Sequence, residues 1–449
     1  MTESAAPELS LSSFPLPPRH ERVLGNGLTV IAAERARVPL VAVCLVFKAG
    51  SARDPLGKAG LADFVVELLR RGTERLTADQ IDEALEAMGV DLHLETSLDS
   101  TYLMATTPAE HLAPLLRMLA ELVQRPAFAP VEVRQARKRT IARLETELDE
   151  PAILAADALG LVALPGHPYG RPGRGIASQV ATFTRADCVG FAKAHFRPSQ
   201  AILAIAGDVP ADEALALSER ELGRWQGDGQ ELEPIPVARP LEQTSILLVD
   251  KKGSNQAQVR LASSGPGITQ PDALAARLSC QALGGGFTSR LVEAIRVNRG
   301  LSYGVSGFLT ETIAGSLFVV ASYTKTESVK ELVEVALEET RRYRQEGPSA
   351  EELLRAKRYT NGLFPLMIET DDLLARALAD LKRLGRPDDW LEAYRERVLR
   401  VDSEQALETA RRYFLPGPFA AAVVGEAKGL SKPLRALGRL RVIPAESLA

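Results

Sequence analysis

The feature that most constrains this chain is that its order of elements occurs twice. "GLTVIAAE" and "PLVAVCLVFKAG" open the first half as apolar, β-branched runs bounded by turn residues, the signature of strands. "SILLVDKK" and "QAQVRLASS" open the second half in the same way. Helical and strand signals follow in each half, and a short buried strand closes the series, "QAILAIAGDV" first and "FAAAVVG" second. Between the two runs lies "GDGQELEPIPVARPLEQ", residues 227–243, rich in Gly, Pro and Glu and without periodicity, which reads as a linker. The expected fold class is α+β, with two tandem, structurally similar domains over residues 21–226 and 244–449. Each is expected to be a mostly antiparallel or mixed sheet flanked by helices. Residue identity between the halves is weak, so the repeat is one of pattern. Residues 1–20, Ser- and Pro-rich at their start, are expected to form an extended arm.

Local signals place the elements. A helix is expected over residues 60–71. Thr77 caps "ADQIDEALEAMG", whose apolar face is Ile81, Leu85 and Met88 and whose stop is Gly89. "VDLHLETS" and "STYLMATT" alternate with period two around a turn containing Asp99, as a hairpin does. A helix begins at Pro108 and ends before Pro126, and a long charged helix runs from about Pro130 to Asp149. Beyond the linker, helices are expected at 271–283, 288–298, 327–346 and 349–362, with more helix to about Phe414. The strands "SYGVSGFLT" and "GSLFVVASY" stand between them.

Composition excludes several classes. A formal net charge of -4, with no basic stripe, argues against a nucleic-acid partner. The arginines between 134 and 143 alternate with apolar and acidic residues and read as a solvated helix face. Cys44, Cys188 and Cys280 are too far apart for a metal site or a disulfide framework and read as buried free thiols. The N-terminus has no basic start followed by an apolar run, and no run of about 18 apolar residues occurs. A cytoplasmic location without a transmembrane segment is expected, with the periplasm or another compartment open if the chain is a processed form. His20, His93, His111, His167 and His195 are scattered, with no HxxxH or HxxEH spacing. His167, in the turn-rich "GHPYG", reads as a loop-fixing residue, and Cys188 and His195 read as packing residues. Gly284 to Gly286 lack the frame and the Lys-Ser/Thr of a phosphate loop. They read as backbone freedom at the entry to a tightly packed helix, with Thr288 as its N-cap.

One helix breaks its own pattern. "GLADFVVELLRRGT" is apolar throughout but carries Asp63 and Glu67 four residues apart, on one face. Such carboxylates repel unless something neutralises them. Arg70, Arg71 or an arginine of the 134–143 stretch would serve. A hard cation is the alternative.

The wording of the chain resembles the pitrilysin and mitochondrial processing peptidase family over nearly its whole length after residue 20. The resemblance rests on "LGNGLTVIA", "KAGSARDPLGKAGLADFVVELLRRGT", "LPGHPYGRPGRG" and "LGGGFTSRLVEAIRVNRGLSYGVSG", the last being the most specific. Catalytic members carry H-x-x-E-H, two zinc-binding histidines and a general base, with a later carboxylate completing the ligand set. On this chain the first histidine falls on Asp63, the glutamate on Val66 and the second histidine on Glu67. The later carboxylate falls near Glu145 or Glu147. The resemblance therefore implies a degenerate zinc motif, no metal in this chain and no catalytic residue of its own, since Val66 cannot take a proton from water. Arg296 and Tyr303 resemble the family's arginine–tyrosine pair, which comes from the half without zinc and reaches across to the metal. Taken by residue type alone, Arg296 is a helix-terminus cation and Tyr303 a half-buried strand aromatic.

The function implied is that of a zinc-free subunit of a heterodimeric metallopeptidase. Its partner would be a similar two-domain chain with an intact HxxEH and the zinc, and the substrate an extended peptide. Two other readings stand beside it: a structural core subunit of a respiratory complex, and a homodimeric peptide-binding clamp without proteolysis.

Overall fold

The computed structural model describes residues 15–227 and 229–448. Residues 1–14 of the expected arm lie outside these, and Arg19 and His20, assigned to the arm, already pair within the first strand.

The first six-stranded sheet is built from β1 (Arg19–Val23), β2 (Thr29–Glu34), β3 (Leu40–Phe47), β4 (His93–Thr96), β5 (Thr101–Pro108) and β6 (Ala201–Gly207). Their spatial order is β1-β2-β6-β3-β5-β4. The second holds β7 (Ser245–Asp250), β8 (Gln256–Gly265), β9 (Val305–Leu309), β10 (Ser316–Lys325), β11 (Ala420–Gly425) and β12 (Arg439–Pro444), in the order β12-β7-β11-β8-β10-β9. Strands β2, β3, β4, β5 and β6 thus occupy the places of β7, β8, β9, β10 and β11. The pairs β2–β6 and β7–β11 are parallel, and the neighbours from β6 to β4 and from β11 to β9 are antiparallel. The closing strands "AILAIAG" and "AAAVVG" are buried at every residue, as continuous apolar runs should be when both faces of a sheet are covered.

The halves differ at one edge. β1 comes first in the chain and runs antiparallel to β2. β12 comes last and runs parallel to β7. The expectation that the chain closes at β11 is therefore incomplete, because a helix at Ala427–Arg435 returns it to β12. The strand "RLRVIP" is mostly exposed and a third charged, so its sequence carries little strand signal.

Each half also lends a helix to the other. Pro151–Ala163 leaves the first sheet and lies on β7, β8 and β11. Leu154, Ala155 and Ala158 pack there with Leu247, Ala262 and Ala422. Asp371–Arg383 leaves the second sheet and lies on β3 and β6, joining Leu374, Leu378 and Ala379 to Ala42, Cys44 and Ala204. "PAILAADALGLVA" has no charged face beyond Asp157, which is what a helix enclosed on most sides requires. A short bridge adds to the tie. The Tyr169 hydroxyl donates to Asp99 at 2.5 Å and accepts from the Ala314 amide at 3.2 Å. The other Asp99 oxygen accepts from the Ile313 amide at 2.9 Å.

Candidate functional site

The helix carrying Asp63 and Glu67 spans Leu61–Leu68 and continues as a 3-10 turn to Arg71. It begins after Gly60, whose φ is +88°, and a Cβ there would stand 2.4 Å from Gly175 Cα. This close approach seats the loop "RPGRG" on the start of the helix. Asp54, only 4% exposed, caps the same end, accepting from the Gly60 amide at 2.7 Å and the Ala62 amide at 2.8 Å. Burial pushes its carboxyl up to about 7, against the pull of those amides and of Arg171. Arg171 holds the loop by donating to the carbonyls of Asp54 at 2.6 Å and Ala52 at 2.9 Å. His167 fixes the loop further back: its Nδ1 accepts from the Tyr169 amide at 3.1 Å, so Nε2 carries the proton it shares with Pro236 O at 2.7 Å.

The result is a ladder of alternating charge. Glu67 pairs with Arg139 at 2.9 Å and Asp63 with Arg143 at 3.2 Å. Arg143 also reaches Glu147 at 3.3 Å. Arg174, from the seated loop, then joins Glu147 at 2.7 Å to Asp157 at 2.5 Å. Both bridging arginines of the outer end come from the long helix Pro130–Glu147, whereas Arg70 pairs with Asp82 instead. The inner end is shielded, with Arg174 and Asp157 side chains 13% and 12% exposed. At the outer end the Asp63 side chain is 42% exposed. Even so, the surrounding protein raises the Asp63 pKa, Arg143 pulls it down, and Glu67 raises it again. Glu145 is exposed, and Glu147 is the carboxylate at the junction. Val66 is 2% exposed and belongs to the core.

These residues do not fit a zinc ion. No imidazole faces the site, and the carboxylates at 63 and 67 already accept from guanidinium groups that a cation would repel. Among the described residues, no group of three or more His, Cys, Asp or Glu side chains is arranged to hold a metal. The sequence did not single out Arg174 and Asp157. The only signal of Arg174 is the glycine-flanked loop "GRPGRG", and that of Asp157 is its place as the one charge in "PAILAADALGLVA".

Arg296 and Tyr303 lie elsewhere. The helix around them is irregular, Ala273–Cys280 passing into a π-turn at Gln281–Gly285 and Arg290–Val292 into another at Glu293–Val297. Gly284 is the reason for the first glycine: a Cβ there would stand 2.6 Å from the Gly307 amide in β9. Thr288 is not the cap, for Ser289 takes the N-cap position without a side-chain bond. Arg296 is exposed, its guanidinium 6.0 Å from the Phe287 ring centroid. Gly300, at φ +59°, ends the segment. Tyr303 is 84% exposed and precedes β9, which begins at Val305, so it is not a half-buried strand aromatic. Among the described residues, neither side chain makes an ion pair, and no hydrogen bond links them to the ladder.

A duplicated sheet fold with a motif helix in its first half and an arginine–tyrosine segment in its second defines a two-domain peptidase-type chain. It belongs to peptidase family M16. The family model described as "Insulinase (Peptidase family M16)" matches residues 29–172, and the one described as "Peptidase M16 inactive domain" matches residues 182–359. An "Uncharacterized zinc protease" of Rickettsia bellii is 24% identical over 412 residues, 89% of this chain and 96% of that protein. A "Probable mitochondrial-processing peptidase subunit beta, mitochondrial" of Arabidopsis thaliana is 23% identical over 440 residues, 95% of this chain and 80% of that one. In fold, the chain matches the crystal structure of a peptidase M16 inactive domain from Pseudomonas fluorescens with a TM-score of 0.84. That match has 23% identity and covers 91% of this chain and 98% of the other. Among the described residues, no helix is long and apolar enough to cross a membrane.

Proposed function

We propose that this protein is the zinc-free subunit of a heterodimeric M16 metallopeptidase, supplying Arg296 and Tyr303 to the site of an HxxEH-bearing partner. The observation that carries the reading is the contrast between the two motifs. Asp63 and Glu67 are held by Arg143 and Arg139, whereas Arg296 and Tyr303 stand in solvent. The names of the relatives, zinc protease and processing peptidase subunit, support a peptidase setting. On this reading Asp63, Val66, Glu67 and the acid of the 145–147 turn are a zinc motif that has lost its donors and its base. The guanidinium of Arg296 offers fixed donors to peptide carbonyls. The phenol of Tyr303 donates to the oxygen that becomes negative as water attacks. The substrate is an extended peptide held by strand addition to a sheet edge, and the compartment is cytoplasmic.

Co-expression with HxxEH chains tests this. A stable complex should cleave peptides, and Arg296→Ala or Tyr303→Phe should lower kcat by roughly 10²-fold while leaving the complex intact. Peptide turnover by the lone chain with stoichiometric Zn²⁺ at positions 63 and 67 would refute the proposal. Self-association with peptide binding but no partner would replace it with the clamp reading.

A further inference from the structure

A cavity of about 1000 Å³ lies in the second half, away from both motifs. Its walls are the loop before Ala273–Cys280 and the helices Trp390–Arg400 and Ser403–Tyr413. Five arginines line it, 277, 386, 397, 400 and 412, against three acids, Asp272, Glu311 and Glu408. Two further acids just outside the lining, Asp389 and Glu396, face Arg397 and Arg400.

The pairing inside is uneven. Arg277 is neutralised by Glu311 at 2.5 Å. Arg412 shares Asp272, at 3.3 Å, with the Tyr413 hydroxyl, at 2.6 Å. Arg397 has a 3.7 Å approach to Asp389, and Arg400 pairs with Glu396 at 3.1 Å. Arg386 makes no ion pair among the described residues, although Glu311 and Asp380 lie near enough to favour its charge. Its one hydrogen bond is a 3.4 Å contact with the Ile268 carbonyl, and its buried Nε has no partner. Both Arg386 and Arg397 lie over the Trp390 ring, at 4.0 and 4.8 Å from its centroid. Burial and the charge of Arg277 push the Arg386 guanidinium down to about 10, so it stays a cation at neutral pH in surroundings that disfavour one.

An adjoining cavity of about 530 Å³ shows what a settled charge pattern looks like here. It shares Arg277, Glu311, Arg386 and Trp390, and it runs to the seam between the halves. There Arg376 is paired with Glu95 at 2.6 Å, and Asp380 accepts from Tyr102 at 2.7 Å and from Arg383 at 2.8 Å. The charges at the seam are matched by ion pairs, whereas Arg386 in the larger cavity has none among the described residues.

We propose that the larger cavity is a binding site for a small polyanion, a molecule with at least two phosphate or carboxylate groups, held by Arg386, Arg397 and Arg412 against Trp390. Guanidinium forks suit both oxyanions, and the volume is that of a small-molecule site. The ligand supplies the partner that Arg386 lacks.

The chain has two tryptophans, and Trp225 is buried in the core of the first half. A Trp225→Phe protein therefore leaves Trp390 as a reporter in the cavity. Tripolyphosphate and citrate, titrated separately into this full-length protein, should each change its fluorescence and raise its Tm. The tighter of the two identifies phosphate or carboxylate as the natural group. Arg386→Gln should weaken binding by about tenfold or more. Arg412→Gln, an exposed side chain whose loss leaves folding intact, should weaken it by several-fold. No saturable response to either anion at about 1 mM would overturn the proposal, as would affinity unchanged in both variants. A response only to a hexaglutamate peptide would overturn it in favour of an acidic-peptide site.

Discussion

The two halves share a strand order and treat their signature segments in opposite ways. In the first half, the helix Leu61–Leu68 is tied through Asp63 and Glu67 into a ladder that ends on Arg174 and Asp157. In the second, Arg296 and Tyr303 project from an irregular, π-turned segment into solvent. A polar group that satisfies its neighbours serves the fold, and one without a partner is available to something outside it. The same difference sets Arg376 and Arg383, held by Glu95 and Asp380, apart from Arg386, which has no ion pair among the described residues.

The comparison is broken most directly at the inner end of the ladder. Arg174→Ala leaves Asp157 shielded without its partner and Glu147 with Arg143 alone, and should cost about 3 kcal/mol by urea unfolding. If Arg174→Ala is nearly neutral, the ladder does not hold the first half together. Arg143→Ala, at the exposed outer end, should cost no more than about 1 kcal/mol. The two results together grade the ladder from its shielded end to its exposed one.

The reciprocal helices give the next largest effect. Leu154 and Leu378 are each about fully buried in the opposite half's sheet packing. Leu154→Ala and Leu378→Ala should each cost roughly 2–5 kcal/mol, the cost of a cavity. Because each helix covers a sheet from the other half, either change should shift one common unfolding transition. Two transitions, with only one displaced by each variant, would mean that the halves unfold independently.

Much of this architecture was legible before the structure. The strands of both halves announced themselves as apolar β-branched runs, and Thr77 was readable as a helix cap, which the structure completes as a capping box with Gln80. Asp63 and Glu67 stood out because two acids on an apolar helix require a partner, and the arginine-rich helix supplied it. What stayed hidden depended on long-range placement. Nothing local in "PAILAADALGLVA" says that it packs on the other half's sheet. Arg174 acquires its role only because Gly60 and Gly175 let a distant loop touch the helix start. β12 was missed because its edge position leaves it exposed and charged. Arg386 looked like any surface arginine until Trp390 and Ile268 were seen around it.

A pH effect of intermediate size comes from the first half alone. His195 packs on Phe191 at 4.5 Å, and its Nδ1 is buried without a partner. Burial, with Arg53 and Arg197 adding to it, lowers its pKa from 6.5 to about 4. The folded state therefore holds the neutral ring while the unfolded chain takes up a proton below pH 6.5. Stability from this residue is complete above that pH and is lost as pH falls toward 4, by roughly 3 kcal/mol at most. Asp54, raised in the fold, acts with the opposite sign over an overlapping range. The effect of His195 should thus be read as the difference between wild type and His195→Phe, and a difference flat from pH 7 to 4 would contradict it.

The smallest stability effect should be at Arg296 and Tyr303, and its smallness is the point of the comparison. Both side chains are exposed, and the Arg296 guanidinium lies 6.0 Å from the Phe287 ring, itself exposed. Truncating an exposed side chain without hydrogen-bond partners changes stability by about 0.5 kcal/mol or less. Arg296→Ala and Tyr303→Phe should therefore melt within a degree or two of wild type. A loss of several kcal/mol in either would show that the segment is built for the fold, as the ladder is, and would remove the reason to look for a partner. Neutral melting joined to a large loss of activity in the complex is the combination that a purely structural residue cannot produce.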